Sequence, residues 1–342
     1  MNKKAFLPYI EWFRGLSILL IVLSHIRSSI LPKEYYYVLQ NATVYFLFIS
    51  GFLFHYLYNP QETVVSFYIK KIQRLILPYL VAALPGFLIL MAETGSVPNL
   101  VYMLLSYSTG TGHGNDTHWF VPTMVLILAT FPLLRILINR KKLLMILTIL
   151  GLITSLVTFR SVYNSNPFWN TLHFYGIFLF GMTTSAFWDF LSLFLKKYFW
   201  WITVLGAALF AAIIFYAPLH KNLEMETVLE AGGLFTGIWD LDWSSLARLI
   251  LIFPLLAVLM ALHEKGLRLR FLGILGRMSF GIFLYHIYVI SFLNSDAVNR
   301  FFNQNNVWVY LMNVFFVFGL LWLLLALVKK ALGKNSVYVT GY

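Results

Sequence analysis

The 342-residue chain contains no cysteine. Disulfide bonds and thiol chemistry are therefore excluded, and the compartment has to be read from other residues. Charge is scarce as well: Asp, Glu, Lys and Arg together make up 11% of the sequence, hydrophobic residues 60%, and mean hydropathy is +0.78. Such a balance is foreign to soluble globular domains and defines a polytopic membrane protein. Acidic residues are the rarer charge, 13 against 25 Lys and Arg, for a net charge of +12. A nucleic-acid binder would gather its basic residues on one soluble face, and no soluble domain is present to carry one. The longest non-apolar stretches, around 93–118 and 218–245, are too short to fold outside a membrane. No internal repeat or low-complexity tail divides the chain, so residues 1–342 read as a single integral membrane domain.

Long apolar runs are what the sequence has in abundance. Stretches of about 20 apolar residues fall near 9–27, 41–58, 75–92, 119–138, 143–159, 173–192, 199–217, 246–263, 274–293 and 307–328. The expected fold is all-α, a membrane helix bundle of about ten spans. Lys3 and Lys4 precede the first run as in a signal peptide, but Glu11 and Arg14 interrupt it and no small-x-small cleavage site follows, so it reads as a retained helix. With the N-terminus inside, one side collects sixteen basic residues. They are Lys3, Lys4, Lys70, Lys71, Arg74, Arg140, Lys141, Lys142, Lys196, Lys197, Lys265, Arg268, Arg270, Lys329, Lys330 and Lys334. The other side holds five, Arg27, Lys33, Arg160, Lys221 and Arg300. This bias puts both termini in the cytoplasm.

Within the first span, Arg14 and His25 lie on one stripe. Eleven residues of helix return to within about 20° of the starting face and advance about 16 Å. Ionisable groups at membrane depth cost about 2.5–3.5 kcal/mol each on the mildest scale, which makes them functional candidates by default. Glu11, one turn before Arg14, is expected to pair with it and reduce that cost.

Four further clusters stand out. Lys70, Lys71 and Arg74 crowd one helical turn ahead of Pro78, a spacing able to hold phosphate and equally that of ordinary inside anchors. Ser50-Gly51 is a small pair within an aromatic wall, suited to close helix packing or to leaving room for a ligand. His118 and Trp119 open the fourth span, where a tryptophan is first of all an interfacial residue. The glycine-rich loop before them carries His113 and Asp116, but a loop without supporting structure is a poor metal cage and no metal site is expected. In the ninth span Ser279 and His286, seven residues apart, share a face with Tyr285 between them; for His286 a hydrogen-bonded core imidazole competes with a functional role.

Taken in order, Glu11-Trp12-Phe13-Arg14-Gly15 with His25, Phe48 to Phe52, Lys70 to Tyr79, His118-Trp119-Phe120 and Ser279 to His286 resemble the acyltransferase-3 family of bacterial membrane acyltransferases. The resemblance covers nearly the whole chain. It implies an O-acyltransferase of the bacterial cytoplasmic membrane that moves an acyl group, acetyl being the expected one, from cytoplasmic acyl-CoA to a hydroxyl of an extracytoplasmic glycan or lipid-linked sugar in the cell envelope. Acyl-CoA is then a co-substrate, and the partners are that saccharide and membrane lipids. The resemblance gives His25, Arg14 and Glu11 the catalytic roles. Lys70, Lys71, Arg74 and Ser50 become the donor site, and His118, Trp119, Ser279, Tyr285 and His286 the acceptor site. The chain departs from the family in having Glu11 where aspartate is usual and lysines at 70 and 71 where arginines are common, which loses the bidentate fork toward phosphate. Many members add an eleventh span and an outer hydrolase-like domain, whereas this chain is expected to be a standalone membrane unit.

The chemistry of His25 supports the same reading. A sugar hydroxyl attacks a thioester poorly until a base removes its proton, and imidazole, with an ordinary pKa of about 6.5, serves near neutrality. Trp119, Trp239 and Trp243 offer aromatic surfaces for sugar rings. The rival class is a transporter or flippase of lipid-linked saccharides, for which two related halves with paired helix interruptions would be expected; none is evident.

Overall fold

The computed structural model describes residues 6–26, 38–111, 117–158, 165–216, 241–293, 295 and 307–342. Among these every regular element is helical. Helix α1 is Pro8–His25, α2 Thr43–Tyr56 and α3 Val64–Lys71; a π-helical turn, Ile72–Ile76, joins α3 to α4, Leu77–Thr94. There follow α5 Leu100–Thr109, α6 Phe120–Ala129, α7 Phe131–Ile138, α8 Lys141–Val157, α9 Pro167–Ala186, α10 Trp188–Lys197 and α11 Phe199–Tyr216. The last are α12 Trp243–Glu264, α13 Arg270–Leu293, α14 Val307–Leu332 and, after a 3-10 turn, α15 Val337–Thr340.

Among the described residues four helices are long and apolar enough to cross a membrane, or six if each of two bent pairs counts as one span. Those bends revise the sequence reading, which ran both segments straight. The fourth apolar run breaks at Thr130 into α6 and α7 with a 62° bend. Pro132 supplies the reason: it lacks an N–H for the preceding helix and is at home in the first turn of a new one. The sixth run bends by 84° at Phe187, whose φ of −112° leaves the helical region. The third run is longer than expected, because α3, the π turn and α4 form one continuous helix, Val64–Thr94.

Two helix pairs set the geometry of the interior. On α1 and α13, a Cβ at Gly15 would overlap the Leu272 carbonyl and one at Gly276 the Glu11 carbonyl. On α2 and α9, Gly51 meets Phe178 and Gly181 meets Phe48 in the same way. Backbones approach this closely only without side chains between them, the small-residue packing typical of membrane helices. The Ser50-Gly51 pair thus serves both of its sequence readings: Gly51 packs helices while Ser50 lines a cavity.

Candidate active site

A cavity of about 550 Å³ opens where α1, α2, α3, the π turn and α6 converge. Arg14, Ser50, Lys70, Lys71 and Arg74, which lie up to 60 residues apart in sequence, all line it. Phe46, Phe54, Phe120 and Phe131 form much of the remaining wall, and Phe67 stacks on Phe131 at 3.9 Å between ring centroids. Lys71 is half-buried, with its Nζ 5.0 Å from the centre of the Phe67 ring. Ligand pockets typically enclose about 300–1,000 Å³ with a few convergent polar groups, and this cavity fits that description.

Sequence reasoning missed Glu62. Its carboxylate also lines the cavity and accepts a 2.6 Å hydrogen bond from Lys70 Nζ. Four cations therefore face one carboxylate, and Lys70 is already engaged. Glu62 sits in a polar turn, Asn59-Pro60-Gln61-Glu62, where nothing in the local pattern separates it from a solvated loop residue.

Arg14 is held from two sides. It lies 3.5 Å from Glu11 and donates to Ser279 Oγ on α13 at 3.0 Å. The expected Glu11–Arg14 pair is present, and Ser279 joins it to the ninth apolar run. The other Glu11 oxygen, Oε1, is buried with no hydrogen-bond partner among the described residues.

His25 does not line this cavity. It lies farther along α1, where its ring is 5.2 Å from that of His286, centroid to centroid. His118 belongs to the same cluster: fully buried, it bonds through Nε2 to the Leu284 carbonyl at 2.8 Å and packs against Tyr79 and Tyr288. Three histidines distant in sequence thus gather near one level of the bundle. Aromatic rings run between cavity and cluster, Phe120 touching Phe46 and Phe283, and Phe283 touching His286.

The remaining expected residues divide. Tyr285 donates to the Val339 carbonyl at 3.1 Å and so anchors the C-terminal helix α15. Trp119 is buried and stacked on Phe174 at 5.4 Å, so its face is occupied by protein. Trp239, His113 and Asp116 lie outside the described residues. Among the described residues no group of three His, Asp or Glu side chains is arranged to hold a metal.

A second cavity, about 850 Å³, lies on the opposite side of α6 and is lined by Tyr79, Leu80, Leu104, Tyr107, Val121 and Val125 among others. Its walls are mainly apolar. Helix α6 is therefore a partition, with Phe120, Met124 and Leu128 toward the cationic cavity and Val121, Pro122 and Val125 toward the apolar one. His118, with Tyr79 of the apolar wall against its ring, sits two residues before the start of this partition.

Another polar cluster escaped the sequence reading. Buried His173 lies 3.4 Å from Asp242, which caps α12 and accepts from Ser245 Oγ at 2.7 Å; Asn41 donates to the same Ser245 oxygen at 2.9 Å. Arg248, 2% exposed, donates to the Gln40 carbonyl at 2.7 Å. These bonds tie α2, α9 and α12 together at the end of the bundle away from Lys70. His173 and Arg248 were visible as ionisable residues in apolar runs, the same signal that marked Arg14.

The model of the acyltransferase-3 family, described as an acyltransferase domain, matches residues 7–326. The chain belongs to this family and is a membrane acyltransferase. No curated protein and no solved structure matches it.

Proposed function

We propose that the protein transfers an acyl group, acetyl in the first instance, from cytoplasmic acyl-CoA to a hydroxyl of an extracytoplasmic glycan or lipid-linked sugar in the bacterial inner membrane. In this reading the chain crosses the membrane about ten times with both termini inside. The observation that carries it is the cavity shared by Arg14, Ser50, Lys70, Lys71 and Arg74. Coenzyme A is a polyanion with a long thin arm. Cations hold phosphate strongly where solvent is partly excluded, and an aromatic passage suits the pantetheine and its thioester.

The thioester is carried toward His25, which removes the proton of the acceptor hydroxyl as the oxygen attacks the acyl carbon. The carbon–sulfur bond breaks, the sulfur leaves as thiolate, and the proton passes to it to give free CoA. Arg14, fixed by Glu11 and Ser279, orients the donor. On the other face of α6, the apolar cavity suits the hydrocarbon carrier of a lipid-linked acceptor, whose sugar would then approach His118 and His25.

The test is incubation of membranes with labelled acetyl-CoA and candidate saccharides, comparing wild type with His25→Ala. Label should reach the saccharide only with wild type; equal transfer by both removes His25 from the chemistry. Saccharide movement without acetyl-CoA consumption would point to a flippase instead.

A further inference from the structure

His286 is 0% exposed, and its two ring nitrogens have different surroundings. Nδ1 lies 2.8 Å from the Phe283 carbonyl one turn back on α13, whereas Nε2 is buried with no hydrogen-bond partner among the described residues. A carbonyl oxygen can only accept, so Nδ1 carries the proton. Neutral imidazole has one donor and one acceptor, which makes Nε2 a bare lone pair inside the bundle. A core position with no use for an acceptor would be served better by an apolar side chain.

Two other titratable groups interact electrostatically with this ring, His25 from α1 and His118 from the turn before α6. The Nε2 proton of His118 is committed to the Leu284 carbonyl. Tyr79 of α4 stands against His118, and Tyr288 and Tyr285 of α13 donate to Ala82 and Val339. His25 is the one of these groups whose ring packs directly on that of His286. A nitrogen-to-nitrogen hydrogen bond of about 2.9 Å, extended by a ring radius at either end, spans roughly 5.1 Å between ring centres. The observed separation is 5.2 Å at 50°, so the rings are near enough for such a bond after a turn of one ring, although none joins them in this structure. Catalytic hydrogen bonds commonly reach full alignment only when substrate is bound.

We propose that His286 is a positioning residue for His25, accepting at Nε2 a hydrogen bond from a His25 ring N–H and so holding the other His25 nitrogen unprotonated for the acceptor hydroxyl. The inference rests on the acyl-transfer reading. When His25 takes the hydroxyl proton, the His286 lone pair stabilises the imidazolium, until the proton leaves for the CoA thiolate. A buried carboxylate beside a histidine performs the same task elsewhere; here the acceptor is uncharged. The Phe283 carbonyl makes this possible by fixing the tautomer of His286.

The experiment compares His286→Leu, which removes the acceptor, with His286→Gln, whose amide oxygen can restore it. His286→Leu should lower kcat for transfer from acetyl-CoA about a hundredfold with KM for acetyl-CoA unchanged, and His286→Gln should recover about tenfold of that loss. Wild-type kcat in His286→Leu, or equal loss in both variants, overturns the proposal. Nitrogen NMR of wild-type protein labelled at histidine gives a readout that does not depend on either variant folding. Protonated Nδ1 and unprotonated Nε2 at His286 support the proposal, and a protonated Nε2 sinks it. Failure of wild type to transfer label would count against the acyl-transfer reading itself, whatever the tautomer.

Discussion

The two faces of α6 make different cavities from one ten-residue helix. Toward α1 and α3 the space is lined by Arg14, Lys70, Lys71 and Arg74; toward α4 and α5 it is lined by Tyr79, Leu104 and Val125. Met124 and Val125 are neighbours in sequence yet belong to different cavities. The proposed reaction, which joins an anionic, water-borne donor to an acceptor in or beside lipid, would use two such unlike compartments, kept apart until the reacting groups meet.

The strongest way to break this comparison is at the meeting point. His25→Ala should reduce acyl transfer by about 10²–10⁴-fold, the usual worth of a general base, while acetyl-CoA affinity measured by calorimetry stays at the wild-type value. A loss of affinity instead would move His25 into the donor compartment.

Next come the paired blocks Met124→Trp and Val125→Trp. Overfilling costs about 1–3 kcal/mol, and 1.4 kcal/mol is about tenfold in affinity. Met124→Trp should weaken acetyl-CoA binding about tenfold or more. Val125→Trp should leave that binding intact and suppress transfer to a lipid-linked acceptor while sparing a short water-soluble one. If the two variants behave alike, α6 is no partition.

The charge difference is tested by Lys71→Ala and Arg74→Ala. Each should weaken acetyl-CoA binding by about tenfold or less at low salt, because solvent in the open cavity reduces a charge-assisted bond below its full value of about 1.5–3 kcal/mol. The difference from wild type should shrink as ionic strength rises, because exposed charges are screened. A salt-independent loss would mean that packing, not charge, was removed. The smallest effect runs the other way. Glu62→Gln removes the carboxylate that lines the cationic cavity and frees Lys70, so acetyl-CoA should bind tighter by about two- to fivefold, in the range of exposed ion pairs.

The sequence made the ionisable residues of the apolar runs easy to see, because charge in such runs has few innocent explanations. Arg14, His25 and the Lys70 cluster were found in this way, and the Glu11–Arg14 pair followed from helical spacing. The same logic would have singled out His173 and Arg248, though not their partners Asp242 and Ser245 at the start of α12 and Asn41 before α2. Glu62 and the orphaned nitrogen of His286 were not legible. Which carboxylate reaches a cavity, and which imidazole nitrogen meets a carbonyl, depend on tertiary placement that helical periodicity does not encode. The bend at Thr130 had a sign in Pro132, whereas the bend at Phe187 had no proline to mark it.

The π turn at Ile72–Ile76 holds one residue more than an α-helix would need for the same turn. Its presence makes the cationic cavity a matter of phase. Were the same five residues wound as a regular α-helix, the extra one would rotate Val64–Lys71 by about 100° against Leu77–Thr94. Such a protein could keep every lysine and arginine, with the same net charge and the same hydropathy, while Lys70 and Lys71 swung away from Arg14 and the cationic cavity came apart.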